Sequence, residues 1–195
     1  MKKMLVILVV TVLASLPLFG QGTTAGKISV GAGAEVGIPI GDFSNASSFG
    51  IGGLAVGSYD IDENLAVNLM AGYLSFSGKD VAGVTGPTWG IIPILAGVKY
   101  FFTPPMQETS MRLYGAADAG LYMTKFDAPG VTILGVTVGG GTVSNTDFGV
   151  SPILGSRFKA GDNLDVDVHA NYTMIFTSGS TTSWVGAGIG LVFGL

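Results

Sequence analysis

The stretch from Leu164 to Phe176 alternates with a period of two over its whole length. Leu164, Val166, Val168, Ala170, Tyr172, Met174 and Phe176 share one face, and Asp165, Asp167, His169, Asn171 and Thr173 share the other. Successive side chains of a strand point to opposite sides, so the segment reads as an extended strand with one apolar and one polar surface. A slip of one residue would move two aspartates and the only histidine of the chain to the apolar side. The phase is therefore fixed.

What the apolar face meets follows from composition. Only 11% of the 195 residues are charged, against roughly 25% in soluble domains. After the first twenty residues no apolar run reaches the roughly 18 residues of a spanning helix, because other residues, mostly Gly, Ser, Thr and Asn, interrupt the runs. A transmembrane barrel, apolar outside and polar inside, satisfies both facts.

Seven further segments support that reading. Lys27–Ile38 places Ile28, Val30, Ala32, Ala34, Val36 and Ile38 outward and Glu35 inward. In Phe49–Tyr59 the phase is open, because Leu54 and Val56 oppose Ile51 and Ala55. Leu65–Phe76 turns Leu65, Val67, Leu69, Ala71 and Tyr73 outward and Asn68 inward, and Trp89–Phe102 turns Ile92, Ile94, Ala96, Val98 and Tyr100 outward and Lys99 inward. Met111–Lys125 carries Arg112, Tyr114, Asp118 and Tyr122 inward, and Asn145–Lys159 carries Asp147, Ser151 and Arg157 inward. Ser183–Leu195 alternates apolar residues with inward Gly186, Gly188 and Gly190. Inward glycine relieves crowding in a narrow barrel. The expected fold is all-β: an eight-stranded antiparallel up-and-down transmembrane β-barrel over residues 21–195.

Residues 1–20 have the build of a cleaved signal peptide: Lys2 and Lys3, an apolar core from Met4 to Leu13, then Ala14, Ser15 and Pro17. The alternative is a membrane anchor helix, for which the segment is short. The chain has no cysteine, which excludes disulfides, thiolate catalysis and a lipid anchor on Cys. Two of the nine basic residues lie in the signal, leaving seven against thirteen acidic ones. Such a balance argues against nucleic-acid binding.

Short turns are expected at Asp60–Asn64, Thr103–Ser110 and Ala160–Asn163, and longer or outer connections at Pro39–Ser48, Ser77–Pro87, Asp127–Ser144 and Thr177–Thr182. Short periplasmic turns and longer outer loops are the barrel pattern. Gly139–Gly141 makes the third outer loop the one expected to be most mobile. Aromatic residues gather near strand ends. Tyr59, Tyr100, Phe102, Phe158 and Phe193 are assigned to a periplasmic belt, and Tyr73, Trp89, Phe126, Phe176 and Trp184 to an outer one, with Phe43 and Phe76 nearby.

By parity, Glu35, Lys99, Arg112, Asp118, Asp147, Arg157, Asp165, Asp167 and His169 form a lumen charge network. Eight strands leave an interior that side chains fill, and unpaired buried charge is costly, so the network reads as a paired plug. The alternative is a narrow polar path for water or small ions. His169 with Asp165 and Asp167 resembles a metal or acid–base site only superficially, since alternate positions on a strand lie about 7 Å apart, and no second histidine is present. Gly139–Gly141 lacks the Lys-Ser/Thr pair of a phosphate loop. Asp60, Asp62 and Glu63 read as a solvated turn, not a calcium loop. No catalytic residue, metal or cofactor is expected.

Four segments carry a family resemblance: Gly37–Ile38–Pro39–Ile40–Gly41–Asp42–Phe43–Ser44, the run Ile91 to Phe102, the run Gly161 to Tyr172, and Gly186 to Phe193. Together they resemble the outer-membrane protein β-barrel domain family, which includes the small outer-membrane protein A and W type barrels. The resemblance covers nearly all of the mature chain and implies the outer membrane of a Gram-negative bacterium. It implies lipid as the surroundings, the barrel-assembly machinery and periplasmic chaperones as partners in biogenesis, and a monomer. The expected function is structural and surface-interacting, without catalysis. Its rival is a narrow pore or transporter for small hydrophobic solutes, as suggested for W-type relatives, with Leu74 and Phe76 as candidate lumen residues. Some outer-membrane barrels are lipid hydrolases with a lipid-facing His and Ser, whereas His169 points inward by parity.

Overall fold

The computed structural model describes residues 26–79, 86–103, 110–128, 131–133, 136–138 and 140–195. The expected signal, most of the turn 103–110, Gly139 and parts of the outer loops lie outside the described residues.

The chain forms β1 (Ile28–Ile40), a one-turn helix α1 (Phe43–Ala46), β2 (Ser47–Asp60), β3 (Leu65–Gly78), β4 (Thr88–Phe101), β5 (Met111–Ala128), β6 (Val131–Ile133), β7 (Val136–Val138), β8 (Gly141–Lys159), β9 (Leu164–Thr177) and β10 (Ser180–Gly194). Eight strands close a barrel in the order β1-β10-β9-β8-β5-β4-β3-β2, and β6 and β7 pair as a separate hairpin. Each barrel strand is antiparallel to both neighbours. Closure comes from β1 against β10, in register from Ser29↔Gly194 to Ile40↔Ser183. At the terminal end, the Leu195 amide also donates to the Ile28 carbonyl at 2.9 Å.

The alternating strands form because each has an apolar row to bury or to give to lipid. Outward side chains remain exposed, among them Ile38, Phe49, Ile51, Val98, Leu121, Leu154 and Ile189. A continuous girdle of this kind is a liability in water and a requirement in a bilayer. No helix among the described residues is long and apolar enough to cross a membrane. The barrel strands, at 13 to 19 residues, exceed the roughly 9–11 needed to span.

The open phase of β2 is resolved. Phe49 and Ile51 are exposed at 63% and 57%, whereas Leu54 and Val56 turn inward. Both faces are apolar here because Leu54 packs on the interior cluster. The Asp60–Asn64 turn is organised by Asp62, whose Oδ1 accepts from the amides of Asn64 and Leu65, both at 2.7 Å. The segment 127–144, expected as a loop, departs most. The β5–β8 ladder continues to Ala128↔Gly141, a side-chain hydrogen bond joins Thr142 to Asp127, and the connection holds the β6–β7 hairpin. Its Val- and Thr-rich sequence favours extended pairing over coil.

Candidate functional site: the barrel lumen

Inside the barrel, side chains meet across an intervening strand, and a glycine on that strand makes the space. Asn68, Gly97 and Asp118 are consecutive in one cross-strand row. Asn68 Nδ2 donates to Asp118 Oδ1 at 2.8 Å over Gly97, where a Cβ would lie 2.0 Å from that oxygen. Glu35, Gly188 and His169 form a second row. Tyr114 reaches past Gly155 to donate from its hydroxyl to Asp167 Oδ1 at 2.8 Å, and a Cβ at Gly155 would be 2.4 Å from the Tyr114 ring and hydroxyl. The glycines are thus the complement of the polar groups.

These rows build one polar layer. Asp167 is its hub: Lys99 Nζ lies 4.0 Å and Arg157 Nε 3.8 Å from Oδ2, and His169 Nδ1 is 3.1 Å from Oδ1. His169 Nε2 faces Glu35 Oε2 at 3.9 Å, and Asn171 donates to Glu35 Oε1 at 2.9 Å. Charge is spread further by rings. Lys99 sits 4.1 Å from the Tyr114 centroid, and Arg112 3.8 Å from that of Phe101, within cation–π range. Arg112 also donates to the Glu63 carbonyl, toward the terminal end of the lumen.

Above this layer, toward the loops, an apolar layer fills the bore. Leu74, Phe76, Ile91, Tyr122, Ile175 and Trp184 are all no more than 1% exposed. Phe76 packs edge-on to Phe43 at 5.2 Å and tilted to Trp184 at 5.3 Å. Phe43 comes from α1, which thereby caps the bore. Within the polar layer lies a cavity of about 60 Å³, bordered by Leu54, Met70, Lys99, Asp118, Asp167 and His169. It holds a few waters at most and no drug-sized ligand.

Each residue singled out in the sequence has a position here. Glu35, Lys99, Arg112, Asp118, Arg157 and Asp167 are buried, and His169 is half-buried. Asp165 lies on the same face nearer the terminal end, and Asp147 nearer the loops, and these two, like Arg112 and Asp118, join no ion pair among the described residues. Tyr100, Phe102, Phe158 and Phe193 are exposed on the outer surface near the terminal end, with Tyr59 half-buried. Tyr73 and Phe176 are exposed near the loop end. Three belt assignments are corrected. Trp184 is 1% exposed and part of the lumen core. Trp89 and Phe126 are register partners on the lumen-facing parity, with rings 4.5 Å apart at the mouth. Phe43 and Phe76 likewise belong to the interior. The cause is steric: eight strands leave a bore that aromatic rings can fill, and glycines opposite them provide the depth.

His169 is flanked by carboxylates on both sides, an arrangement suited to charge pairing. Among the described residues no group of three or more His, Cys, Asp or Glu side chains is placed to hold a metal.

A family model described as the outer membrane protein beta-barrel domain matches residues 9–193. The chain belongs to this family. It is an outer-membrane β-barrel protein of Gram-negative type, in contact with membrane lipid. No curated protein sequence matches the chain. Among solved structures, neisserial surface protein A has a TM-score of 0.61 at 16% identity, covering 85% of this chain and 96% of its own. OprG of Pseudomonas aeruginosa has 0.59 at 13%, covering 91% and 99%. Ail, the attachment invasion locus protein of Yersinia pestis, in complex with the heparin analogue sucrose octasulfate, has 0.58 at 15%, covering 88% and 99%. At these identities the likeness is one of fold.

Proposed function

We propose that the protein is a structural and surface-interacting barrel whose lumen is a solid core, with no catalytic and no conducting role. Residues 1–20 direct export and are removed, periplasmic chaperones and the barrel-assembly machinery insert residues 21–195, and the barrel stands as a monomer. The observation that carries this reading is the pair of filled layers: an aromatic one around Phe76 and Trp184 and a charge-paired one around Asp167. In this reading Lys99, Arg157 and His169 gather round Asp167, His169 also faces Glu35, Asn68 holds Asp118, and the Glu63 carbonyl holds Arg112. Leu74 and Phe76, at 1% and 0% exposure, are packing residues rather than an open mouth for apolar solutes. The sulfated ligand of Ail is not carried over, because seven basic residues against thirteen acidic ones after residue 20 suit a polyanion poorly.

The test is uptake into vesicles bearing the refolded barrel, with a small sugar and a small apolar fluorophore as solutes. Uptake no faster than into empty vesicles is expected for both. Accelerated entry of the apolar solute alone would establish the transporter reading, and entry of the sugar would establish a pore.

A further inference from the structure

Seven of the eight strand boundaries in the barrel join segments that follow one another along the chain. The β1–β10 boundary has no turn to hold it. Its interior side is also bare, because the middle of β10 presents only Gly186, Gly188 and Gly190 to the lumen. Over that middle stretch one side chain crosses it, below the Phe76–Trp184 contact. Glu35 on β1, 2% exposed, reaches over β10 to β9, where Asn171 Nδ2 donates to Oε1 at 2.9 Å and His169 Nε2 lies 3.9 Å from Oε2. The glycines are needed for this reach. A Cβ at Gly186 would be 1.9 Å from Asn171 Oδ1, and one at Gly188 would be 2.5 Å from His169 Cε1.

We propose that Glu35, Asn171 and His169 form a strap that locks the closing seam, made only after β1 and β10 have zipped. The strap ties groups 136 residues apart in sequence, so it gives nothing to any hairpin along the way. It acts on one event, the opening and closing of the barrel between its first and last strands. Losing it leaves a turnless boundary whose middle no side chain spans, the weakest line in the wall. The carboxylate is the member that matters, since it alone stands on β1. Glutamine in its place retains an acceptor for Asn171 but not the charge facing His169.

The absence of native cysteine allows a direct test. Val36 and Ala187 are register partners across the seam, and Ala55 and Ala71 are partners across β2–β3, all four outward-facing and exposed. The readout is the temperature at which the full-length barrel loses its folded mobility on SDS gels. Glu35→Ala is expected to lower it by about 10 °C, and Glu35→Gln by less. Oxidising a Val36→Cys, Ala187→Cys pair in the Glu35→Ala background should restore most of the loss, whereas an Ala55→Cys, Ala71→Cys pair should not. An unshifted Glu35→Ala barrel, equal rescue by both pairs, or rescue by neither overturns the proposal. If Glu35→Ala does not fold, the same comparison is read in Glu35→Gln.

Discussion

Gly50→Ala tests whether the lumen is packed like a protein core. A Cβ at Gly50 would lie 2.5 Å from both Cδ1 and Cε1 of Phe76 and 2.7 Å from its Cγ. Contact at van der Waals distance would require the ring to retreat by about 1 Å. The ring is packed on several sides: Phe43 and Trp184 lie against it, and a Cβ at Gly37 would be 2.9 Å from its Cζ. Overpacking of a rigid group at such a site should cost about 3 kcal/mol, the upper part of the usual range. Phe76→Ala empties the same space and should cost about 3–5 kcal/mol. In the double variant the clash is gone, so the combined loss should fall short of the sum by about 2 kcal/mol. Denaturant unfolding of the barrel in lipid vesicles, followed by tryptophan emission, reports all of these, because Trp184 lies against Phe76. Gly57→Ala is the control. Nothing lies within 4 Å of a Cβ there, and its stability should change by no more than about 0.5 kcal/mol. A Gly50→Ala barrel as stable as the parent, or strict additivity with Phe76→Ala, would refute a packed interior.

Tyr114→Phe removes the hydroxyl that donates to buried Asp167 at 2.8 Å while leaving the ring under Lys99. It should cost about 1.5–3 kcal/mol in the same unfolding assay, and a loss below ~0.5 kcal/mol would mean the network does not depend on that bond. Replacing residues 129–140 by an Asn-Gly turn joins Ala128 to Gly141, which are already register partners. That variant should insert into the outer membrane and keep its boiling-dependent gel shift, since the barrel wall closes without the β6–β7 hairpin.

Strand count and closure are legible where the two faces differ in chemistry. The Leu164–Phe176 segment settles its own phase because lipid excludes Asp165, Asp167 and His169 from one side. At β2 neither face is polar, because Leu54 and Val56 fill a lumen that glycines have deepened, and the phase cannot be read. The aromatic residues mislead for the same reason. Trp or Phe near a strand end suits a membrane belt and a lumen plug equally well by composition. Parity carries the missing information: Trp184 is two residues from inward Gly186, Trp89 shares parity with Lys99, and Phe126 with Tyr122. The individual contacts are not legible at all. That Asn68 meets Asp118, and Glu35 meets Asn171, depends on which glycine sits between them, which requires the register of three strands at once.

Single-channel recording in planar bilayers shows whether the bore is closed by its own side chains. Purified, folded barrel should give no discrete openings at any voltage that the bare bilayer withstands, in dilute or concentrated salt. Stable unitary openings of uniform size, dependent on the folded form and lost on boiling, would mean that the layers around Phe76 and Asp167 leave a continuous path, and the filled-core account would be wrong.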